Sequence, residues 1–380
     1  MTEQQRNIHD QFVNDLETLV NIDSASENLE GVAAVAEFLK KELTDIGLEV
    51  EISREGEMGV PCLKACTPSK NGRYDFTFIG HMDTVFPTGE AAKRPFSIEN
   101  NRAMGPGTCD MKGGLLVAVN VLKMLKSQGN LDQIAICATF NGDEETGSEN
   151  SKEWIEKTAE SCDRVFVFEP CRPGYRQVLH RKGGGRVKII AHGVSSHAGA
   201  DPEKGANALV ELASHIPAIH KLNDGESGIT AQCTVIRSGD KTNIIPDQAE
   251  LDVDVRVATM DEMKIVEEFF KNLPKNNYVK GTSITITGGV DRPPMEYTDV
   301  TVDLWNTFAA EGKKIGIESA YISTGGCSDG NWTAAKGIPT IDGMGTVGAN
   351  SHRQDEYIEL DSIVPMITMI ANTCSKVVLG

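Results

Sequence analysis

Short apolar runs that stop abruptly constrain the fold of this chain more than any other feature of its sequence. Three of them, 76–79, 134–140 and 165–168, are each followed within two residues by glycine or proline. A helical pattern over 112–127 lies between the first two runs. Strands that alternate with helices are typical of a parallel sheet covered by helices. The sequence therefore predicts an α/β domain with a mixed, largely parallel sheet.

The middle third of the chain has a different order of elements. Its apolar patterns predict strands at 186–192, 229–236, 249–257 and 283–287 and helices at 202–222 and 261–273. The order β-α-β-β-α-β is that of the ferredoxin-like fold. Gly183–Gly185 on entry and the stretch from Gly288–Gly289 to Pro293–Pro294 on exit are interpreted as the hinges of this region. We therefore predict a small domain, 185–292, inserted into a discontinuous zinc-binding catalytic domain, 1–184 and 293–380.

Charge and cysteine content limit the partners of the protein. The net charge of −18 argues against nucleic acid, which proteins bind by neutralising phosphates with Lys and Arg. No apolar run approaches the ~20 residues of a membrane helix, and residues 1–10 lack the apolar stretch of a signal peptide. The nine cysteines are an odd number and scattered, which indicates reduced thiols, including the close pair Cys62 and Cys66. We expect a cytoplasmic protein that binds neither nucleic acid nor membranes.

Residues that can bind metal ions follow the predicted strands. In a parallel α/β sheet, ligands bind where the strands end, and His and carboxylate residues occur there in this chain. The fourth predicted strand, 339–344, leads into a further histidine. The candidate ligands are His81, Asp110, Glu145, Glu169 and His352. Each of them alone could be an ordinary strand-end or loop residue, but their recurrence favours one shared site.

Five mixed ligands indicate two metal ions rather than one. Imidazole and carboxylate suit zinc and, less specifically, manganese or cobalt. Two ions that share one carboxylate leave room for a water molecule. Asp83 lies two residues after His81 and can accept a hydrogen bond from its ring, which fixes the tautomer. Glu144 precedes Glu145 and can act as the general base of amide hydrolysis.

The sequence resembles the M20-type family of dinuclear-zinc peptidases and deacylases. That family contains glutamate carboxypeptidase, succinyl-diaminopimelate desuccinylase, acetylornithine deacetylase and tripeptide aminopeptidase. The matching motifs cover almost the whole chain in family order, and glutamate carboxypeptidase matches most closely. They are Gly80–Val85, Gly105–Gly114, Asp143–Ser148, Val194–Gly199, Asn243–Pro246 and Gly348–Leu360.

The resemblance implies how the ligands are divided between two zinc ions per subunit. Asp110 would bridge the two ions, with His81 and Glu169 completing one site and Glu145 and His352 the other. Family members have a cis peptide bond after the bridging aspartate, so the bond from Asp110 to the next residue is expected to be cis.

The resemblance also assigns roles to the inserted domain, which would form a homodimer and act as a lid. His197 would reach the active site of the partner subunit and stabilise the oxyanion, and Asn243 is similarly placed. Arg256 resembles the arginine that binds the substrate carboxylate, although an ordinary strand-end arginine is an equal alternative. Arg292 is a second candidate. Gly325 and Gly326 resemble the glycine-rich substrate loop, where glycine allows close approach of a ligand.

The predicted activity is hydrolysis of an amide bond in a small peptide or N-acyl amino acid. The resemblance implies that a glutamate rather than an aspartate at position 169 fits carboxypeptidases and deacylases better than aminopeptidases. The stretches 169–186 and 202–205 are similar to glutamate carboxypeptidase, which favours release of a glutamate-like C-terminal residue. An N-acyl amino-acid deacylase or a dipeptidase is a close alternative on the same scaffold. A non-catalytic metal-binding homologue is disfavoured because every ligand and the base are present. A structural zinc protein is disfavoured because such sites are mostly rich in cysteine.

Overall fold

The computed structural model describes residues 1–223 and 225–380, which form two compact units. The large unit comprises Met1–Leu179, Tyr297–Ser323 and Ser328–Gly380, and the small unit comprises His180–Glu296 and Thr324–Cys327. The domain limits predicted from the sequence, 184/185 and 292/293, lie a few residues inside the small unit. The segment Thr324–Cys327 belongs to the small unit, whereas the sequence-based division assigned it to the large domain.

A mixed six-stranded sheet forms the centre of the large unit. In spatial order its strands are Glu49–Glu55, Val60–Cys66, Ile136–Asn141, Phe76–His81, Val165–Val167 and Thr340–Ile341. The last four strands are parallel, and the first two join antiparallel. The predicted fold class is thereby confirmed. The strand Glu49–Glu55 was not predicted, because its alternating charged residues interrupt any apolar run.

Helices of the large unit pack on this sheet and on one another. They are Glu3–Val20, Leu29–Ile46, Glu90–Lys93, Gly113–Ser127, Lys152–Ala159, Asp299–Lys314, Gly330–Ala335 and Ile363–Leu379. The helix Gly113–Ser127 is almost wholly buried and begins against the backbone of Phe168. A Cβ atom at Gly114 would lie 1.8 Å from the Phe168 carbonyl oxygen, so only glycine permits this contact.

The C-terminal helix is apolar for a reason that its packing shows. The stretch Leu360–Leu379 is long and apolar enough to span a membrane by composition alone. Its residues Ile363, Met366, Ile367 and Ile370 are instead buried in the core of the large unit. A buried core helix passes the same test of composition, so this helix is weak support for a membrane span.

A second, four-stranded sheet in the large unit brings two parts of the predicted site together. Its strands, in spatial order, are Gly348–Ala349, Tyr357–Glu359, Arg102–Met104 and Ser97–Glu99. The strand Arg102–Met104 leads into the loop that carries Asp110, and Gly348–Ala349 leads to His352. The strand predicted at 339–344 is correspondingly shorter, since only Thr340–Ile341 pairs with the central sheet.

The small unit is an antiparallel sheet with two helices. Its strands, in spatial order, are Thr230–Ser238, Gln248–Val257, Gly183–His192 and Ser283–Arg292. The helices Ala208–His220 and Met260–Asn272 pack against this sheet around an apolar core. Together these elements give the ferredoxin-like order that the sequence predicted.

The glycines interpreted as hinges have a different role. Gly183–Gly185 lie inside the strand Gly183–His192, and Gly288–Gly289 lie inside Ser283–Arg292. A Cβ atom at Gly185 would lie 1.9 Å from the Gly289 carbonyl oxygen. The interpretation of these glycines as hinges is therefore wrong, because they lie inside strands, and Gly185 and Gly288 allow the two paired strands to approach each other closely.

Candidate metal centre

His81 is the last residue of the central strand Phe76–His81, and both of its ring nitrogens are oriented by neighbours. Nδ1 lies 3.0 Å from the backbone oxygen of Asp83 and 3.3 Å from its carboxylate. Nε2 faces two further carboxylates, at 3.2 Å from Asp110 and 3.5 Å from Glu169. With Nδ1–H donating to Asp83, Nε2 would be free to bind a metal ion once its own proton is lost.

Asp110 lies in a loop before the buried helix Gly113–Ser127, and its peptide bond to Met111 is cis, as expected. One carboxylate oxygen faces His81, and the other lies 3.3 Å from Nε2 of His352. Burial alone would raise the pKa of Asp110, but the hydrogen bonds from both imidazoles lower it well below its ordinary value. The two oxygens of one carboxylate thus face two different imidazoles.

Two groups of potential ligands share Asp110. His81, Asp110 and Glu169 form one group, and Asp110, Glu145 and His352 form the other, with the ligand atoms in each group within 4.8 Å of one another. His352 Nε2 lies 3.2 Å from Glu145. The structure therefore brings all five predicted ligands together in the division that the resemblance implied. That they bind metal ions stays a prediction.

The electrostatics of this cluster favour a cation. Burial raises the pKa of Glu145 to about 7, and burial together with the charge of Asp110 raises that of Glu169 to about 8. Burial alone would lower the pKa of His81, but its carboxylate neighbours raise it well above its ordinary value. Hydrogen bonds to Asp110 and Glu145 raise the pKa of His352 to about 10. These groups hold protons that divalent cations would replace.

One polar atom of the cluster points to the same conclusion. Oε1 of Glu145 is buried and has no hydrogen-bond partner among residues 1–223 and 225–380. A buried carboxylate oxygen without a partner is costly unless a ligand satisfies it. The donor set of imidazole and carboxylate therefore fits two ions of the zinc, manganese or cobalt class.

The carboxylate of Asp83 also positions the segment that carries the predicted base. It accepts hydrogen bonds from the backbone N–H groups of Glu144 and Glu145, at 3.2 and 3.1 Å. The hydroxyl of Ser26 donates to the same carboxylate at 2.6 Å. Asp83 thus connects His81 with the Glu144–Glu145 turn. Ser26 lies far from every predicted strand end and belongs to no motif, so the sequence alone does not single it out.

A second carboxylate, Glu356, holds the loop on the other side of Asp110. It is fully buried and accepts a 2.9 Å hydrogen bond from the backbone N–H of Cys109. Burial raises the pKa of Glu356 to about 8. The sequence analysis did not single out this residue, although it lies inside the motif Gly348–Leu360 and four residues after His352.

The remaining predicted site residues belong to the small unit. His197 lies in the strand Ser196–His197, which pairs with Ile244–Ile245, and is exposed. Its Nδ1 accepts hydrogen bonds from the backbone N–H groups of Gly199 and Ala200, at 3.2 and 3.0 Å. These bonds select the neutral tautomer with the proton on Nε2, which makes Nε2 a donor. Asn243 is adjacent, since its carbonyl accepts from Ala198 N.

The two candidate arginines have different surroundings. Arg256 is half-buried, and its guanidinium donates to both carboxylate oxygens of Asp254, at 3.1 and 3.0 Å. Arg292 is buried. Arg256 therefore already has an anionic partner, which the sequence analysis did not foresee.

The glycine-rich loop is held by an arginine that the sequence analysis missed. Gly325 and Gly326 are exposed and belong to the small unit. Arg181 is buried and donates to the carbonyl oxygens of Gly326 and Cys327, at 3.2 and 3.3 Å. The Cys327 thiol lies 3.7 Å from the Arg256 guanidinium. The loop is thereby joined to the strand that carries Arg256.

Known proteins are similar to this chain in sequence and in fold. The sequence profile of peptidase family M20/M25/M40 matches residues 77–376. Carboxypeptidase G2 from Pseudomonas sp. (strain RS-16) is 34% identical over 368 residues, covering 94% of this chain and 86% of that protein. A succinyl-diaminopimelate desuccinylase from Cereibacter sphaeroides is 28% identical over 365 residues, covering 89% and 91%. Aminopeptidase PepT from Bacillus cereus superposes with a TM-score of 0.77 at 23% identity, covering 97% and 98%.

The α/β fold and the match to a peptidase family define a metallopeptidase-class hydrolase. This chain belongs to peptidase family M20/M25/M40, whose profile spans most of its length. The family predicted from the sequence motifs is confirmed.

Proposed function

We propose that this protein is a two-zinc carboxypeptidase that releases a glutamate-like C-terminal residue from a small peptide or N-acyl amino acid. The observation that carries the proposal is the sharing of Asp110, whose two oxygens each face a different imidazole. Glu144 lies on a turn that Asp83 connects to the same cluster. The 34% identity to carboxypeptidase G2 over most of both chains supports the carboxypeptidase branch.

The chain's own residues supply the acid–base chemistry of the proposed reaction. When bound, two zinc ions supply Lewis acidity that polarises the scissile carbonyl and acidifies water. Glu144 takes the proton of the attacking water and later delivers it to the nitrogen of the leaving amine. Asp83 holds the turn of Glu144 and the ring of His81, so both keep their orientation.

Residues of the small unit are proposed to bind the substrate and its oxyanion. His197 of the partner subunit would donate its Nε2–H to the oxyanion, in agreement with the tautomer that Gly199 and Ala200 select. Asn243 would act beside it. Arg256 or Arg292 would bind the substrate carboxylate. For Arg256, the substrate would share the guanidinium with Asp254, because one guanidinium offers five donors.

A homodimer formed through the small unit is part of the same proposal. The strand Thr230–Ser238 is an edge of the small unit's sheet and exposes Val235 and Ile236. An exposed apolar edge strand is a ready surface for pairing with another chain.

We expect Ile236→Lys to convert a dimer into a monomer in light scattering. Ile265→Lys, on an exposed face of the helix Met260–Asn272, is the matched control and is expected to remain dimeric. A dimeric Ile236→Lys protein would argue against this interface.

The nine free thiols support a reducing compartment, so we propose that the protein is cytoplasmic. Fractionation of the source cells and detection of the protein in each fraction tests this location. Recovery in an oxidising compartment would contradict it.

The experiment that tests the activity is a substrate panel with the zinc-loaded protein. Peptidyl- and acyl-glutamates, other N-acyl amino acids and free dipeptides are each followed by amine release. Preference for glutamate amides is expected. Release only from other acyl amino acids or from dipeptides would move the protein to the deacylase or dipeptidase branch, which the similarity to a desuccinylase keeps open.

A variant of the proposed base separates catalysis from metal binding. Glu144→Gln is expected to lower kcat by roughly 10²–10⁴-fold while metal content is unchanged, because a general base contributes about that much. Glu149→Gln is the matched control, since Glu149 is an exposed carboxylate five residues away. Full activity of Glu144→Gln would overturn the mechanism, and no activity in the zinc-loaded parent protein would favour a non-catalytic homologue.

A further inference from the structure

Two cysteines lie directly opposite each other in the central sheet of the large unit. Cys66 ends the strand Val60–Cys66, and Cys137 is the second residue of Ile136–Asn141. The antiparallel register pairs these two residues, and their Sγ atoms lie 2.8 Å apart. They are 71 residues apart in sequence, so their proximity is a product of the fold.

The type of strand pair favours a bond between them. The backbone N–H of Thr67 donates to the carbonyl oxygen of Ile136. Thr67 and Ile136, the pair next to the cysteines, are therefore a hydrogen-bonded pair of the antiparallel ladder. Cys66 and Cys137 therefore form a non-hydrogen-bonded pair, in which Cα atoms are typically about 4.5 Å apart and side chains are closest. That spacing lies within the range that a disulfide accepts. The sulfur atoms need to move by less than one ångström to reach the bonded distance of about 2.05 Å.

We propose that Cys66 and Cys137 are a reversible oxidation site that closes to a disulfide between the strands Val60–Cys66 and Ile136–Asn141. In a reducing compartment the two thiols persist, and an oxidant of the small-molecule disulfide class closes the bond.

The two thiols differ in burial and in pKa, as a thiol–disulfide exchange with one attacking and one resolving thiol requires. Cys66 is half-buried, and its hydrogen bonds with Cys137 and with the Tyr74 hydroxyl lower the pKa of its thiol to about 7. Cys137 is buried, and its pKa is raised well above the ordinary value, first by its hydrogen bond to Cys66. Cys66 is therefore the attacking thiolate, and Cys137 is the resolving thiol.

The exchange reaction balances in two steps. The Cys66 thiol releases its proton to the solvent, and the resulting thiolate attacks one sulfur of the small disulfide. A mixed disulfide forms, and one small thiolate is expelled and takes up a proton from the solvent. Cys137 then attacks the Cys66 sulfur, forms the protein disulfide and expels the second small thiolate, which takes the Cys137 proton. The protein loses two electrons and two protons, and the small disulfide is reduced to two thiols.

The position of the pair indicates what the bond would do. Cys137 lies near the start of Ile136–Asn141, whereas Glu144 follows the end of that strand. About four residues, or ~13 Å, of strand therefore lie between the bond and the strand end that precedes the base. We therefore expect turnover to be unchanged and stability to rise. The bond would join residues that are 71 positions apart in sequence and would thereby constrain the unfolded chain. A rise of roughly 5 °C in the temperature of the unfolding midpoint is expected.

The test is to incubate the full-length protein with oxidised glutathione, to denature and alkylate it, and to map its tryptic peptides. Peptide 65–70 contains only Cys66 and peptide 127–152 contains only Cys137, so the proposed bond gives one unambiguous cross-linked product. The denatured protein has nine thiols before oxidation, and the proposed bond should remove two of them. Dithiothreitol should restore them.

Variants make the assignment specific. Cys66→Ser and Cys137→Ser should each lose the cross-linked peptide and the rise in unfolding midpoint. Cys233→Ser, which removes a half-buried thiol of the small unit, should retain both. Both peptides remaining free, a persistent glutathione adduct on Cys66, or a cross-link to Cys162 would each overturn the proposal. The peptide map of the parent protein decides this even where a variant fails to fold.

Discussion

The hydroxyl of Ser26 donates a 2.6 Å hydrogen bond to the carboxylate of Asp83, 57 residues further along the chain. Both residues are buried. The same carboxylate accepts from the backbone of Glu144 and Glu145. Ser26 thus limits the freedom of a group that orients both a proposed metal ligand and the proposed base.

Removal of this hydroxyl is expected to weaken catalysis without removing a ligand. Ser26→Ala should lower kcat/KM by about 10-fold, the lower end of effects seen for residues that orient metal ligands. Steady-state kinetics and metal analysis measure the effect. Ser24→Ala is the matched control, because the Ser24 hydroxyl is buried without a hydrogen-bond partner in the described part of the chain. Equal activities of the two variants would show that the Ser26 hydroxyl is not needed.

The shared carboxylate predicts an asymmetry in metal content. Asp110→Asn should lose both ions, because both ligand groups contain Asp110. His352→Asn should retain about one ion, because His81 and Glu169 are untouched. Metal content after dialysis, measured by mass spectrometry, distinguishes the two. The control is Asp355→Asn, an exposed carboxylate that pairs with Arg353. Retention of two ions by Asp110→Asn would contradict the bridging role.

Metal affinity is expected to rise with pH. In the metal-free protein the pKa of Glu145 is about 7 and that of Glu169 about 8, so both carboxyl groups are largely protonated below these values. His352, with its pKa near 10, holds a proton throughout this range. Because metal ions bind only the deprotonated ligands, affinity should fall as the pH is lowered from 8 to 6, where Glu169 and then Glu145 take up protons, and binding should release protons.

Calorimetry in buffers of different ionisation enthalpy measures the number of protons released. Competition with a chelator at pH 6 and pH 8 measures the affinity. The same affinity at both pH values, with no proton release, would show that these groups do not gain their protons in the metal-free site.

His197 offers a test of action across a dimer. His197→Ala should lower kcat by roughly 10²–10³-fold, the cost of removing one oxyanion donor, and should leave metal content unchanged. Mixed dimers of His197→Ala with Glu144→Ala should regain activity if His197 acts on the partner subunit. The site with an intact Glu144 would then receive His197 from the other chain. Mixtures that remain inactive after subunit exchange would place His197 in its own chain's site or outside the reaction.

Local pattern was sufficient to predict much of this protein. Short apolar runs that stop at glycine or proline predicted the parallel strands, and the residues after them included His81, Glu145 and Glu169. These predictions succeed because the end of a strand and the residue that follows it are properties of a few adjacent positions. The motifs also identified the family without reference to a structure.

Only the tertiary structure decided which groups face each other. The strand order places Val60–Cys66 beside Ile136–Asn141, and this register brings Cys66 opposite Cys137. The sequence of Gly183–Gly185 is compatible with a hinge. In the folded sheet, however, a side chain at Gly185 would collide with the backbone of the neighbouring strand. Strand order and register depend on the packing of the whole sheet, which no single segment contains.

The same distinction holds within the proposed site. The sequence by itself determined that five imidazole and carboxylate side chains would gather where strands end. The tertiary structure decided that the two oxygens of Asp110 face different imidazoles, that Ser26 supports Asp83, and that Asp254 pairs with Arg256. Residue type determines which chemistry is possible, whereas distances between side chains far apart in sequence depend on how the entire chain packs.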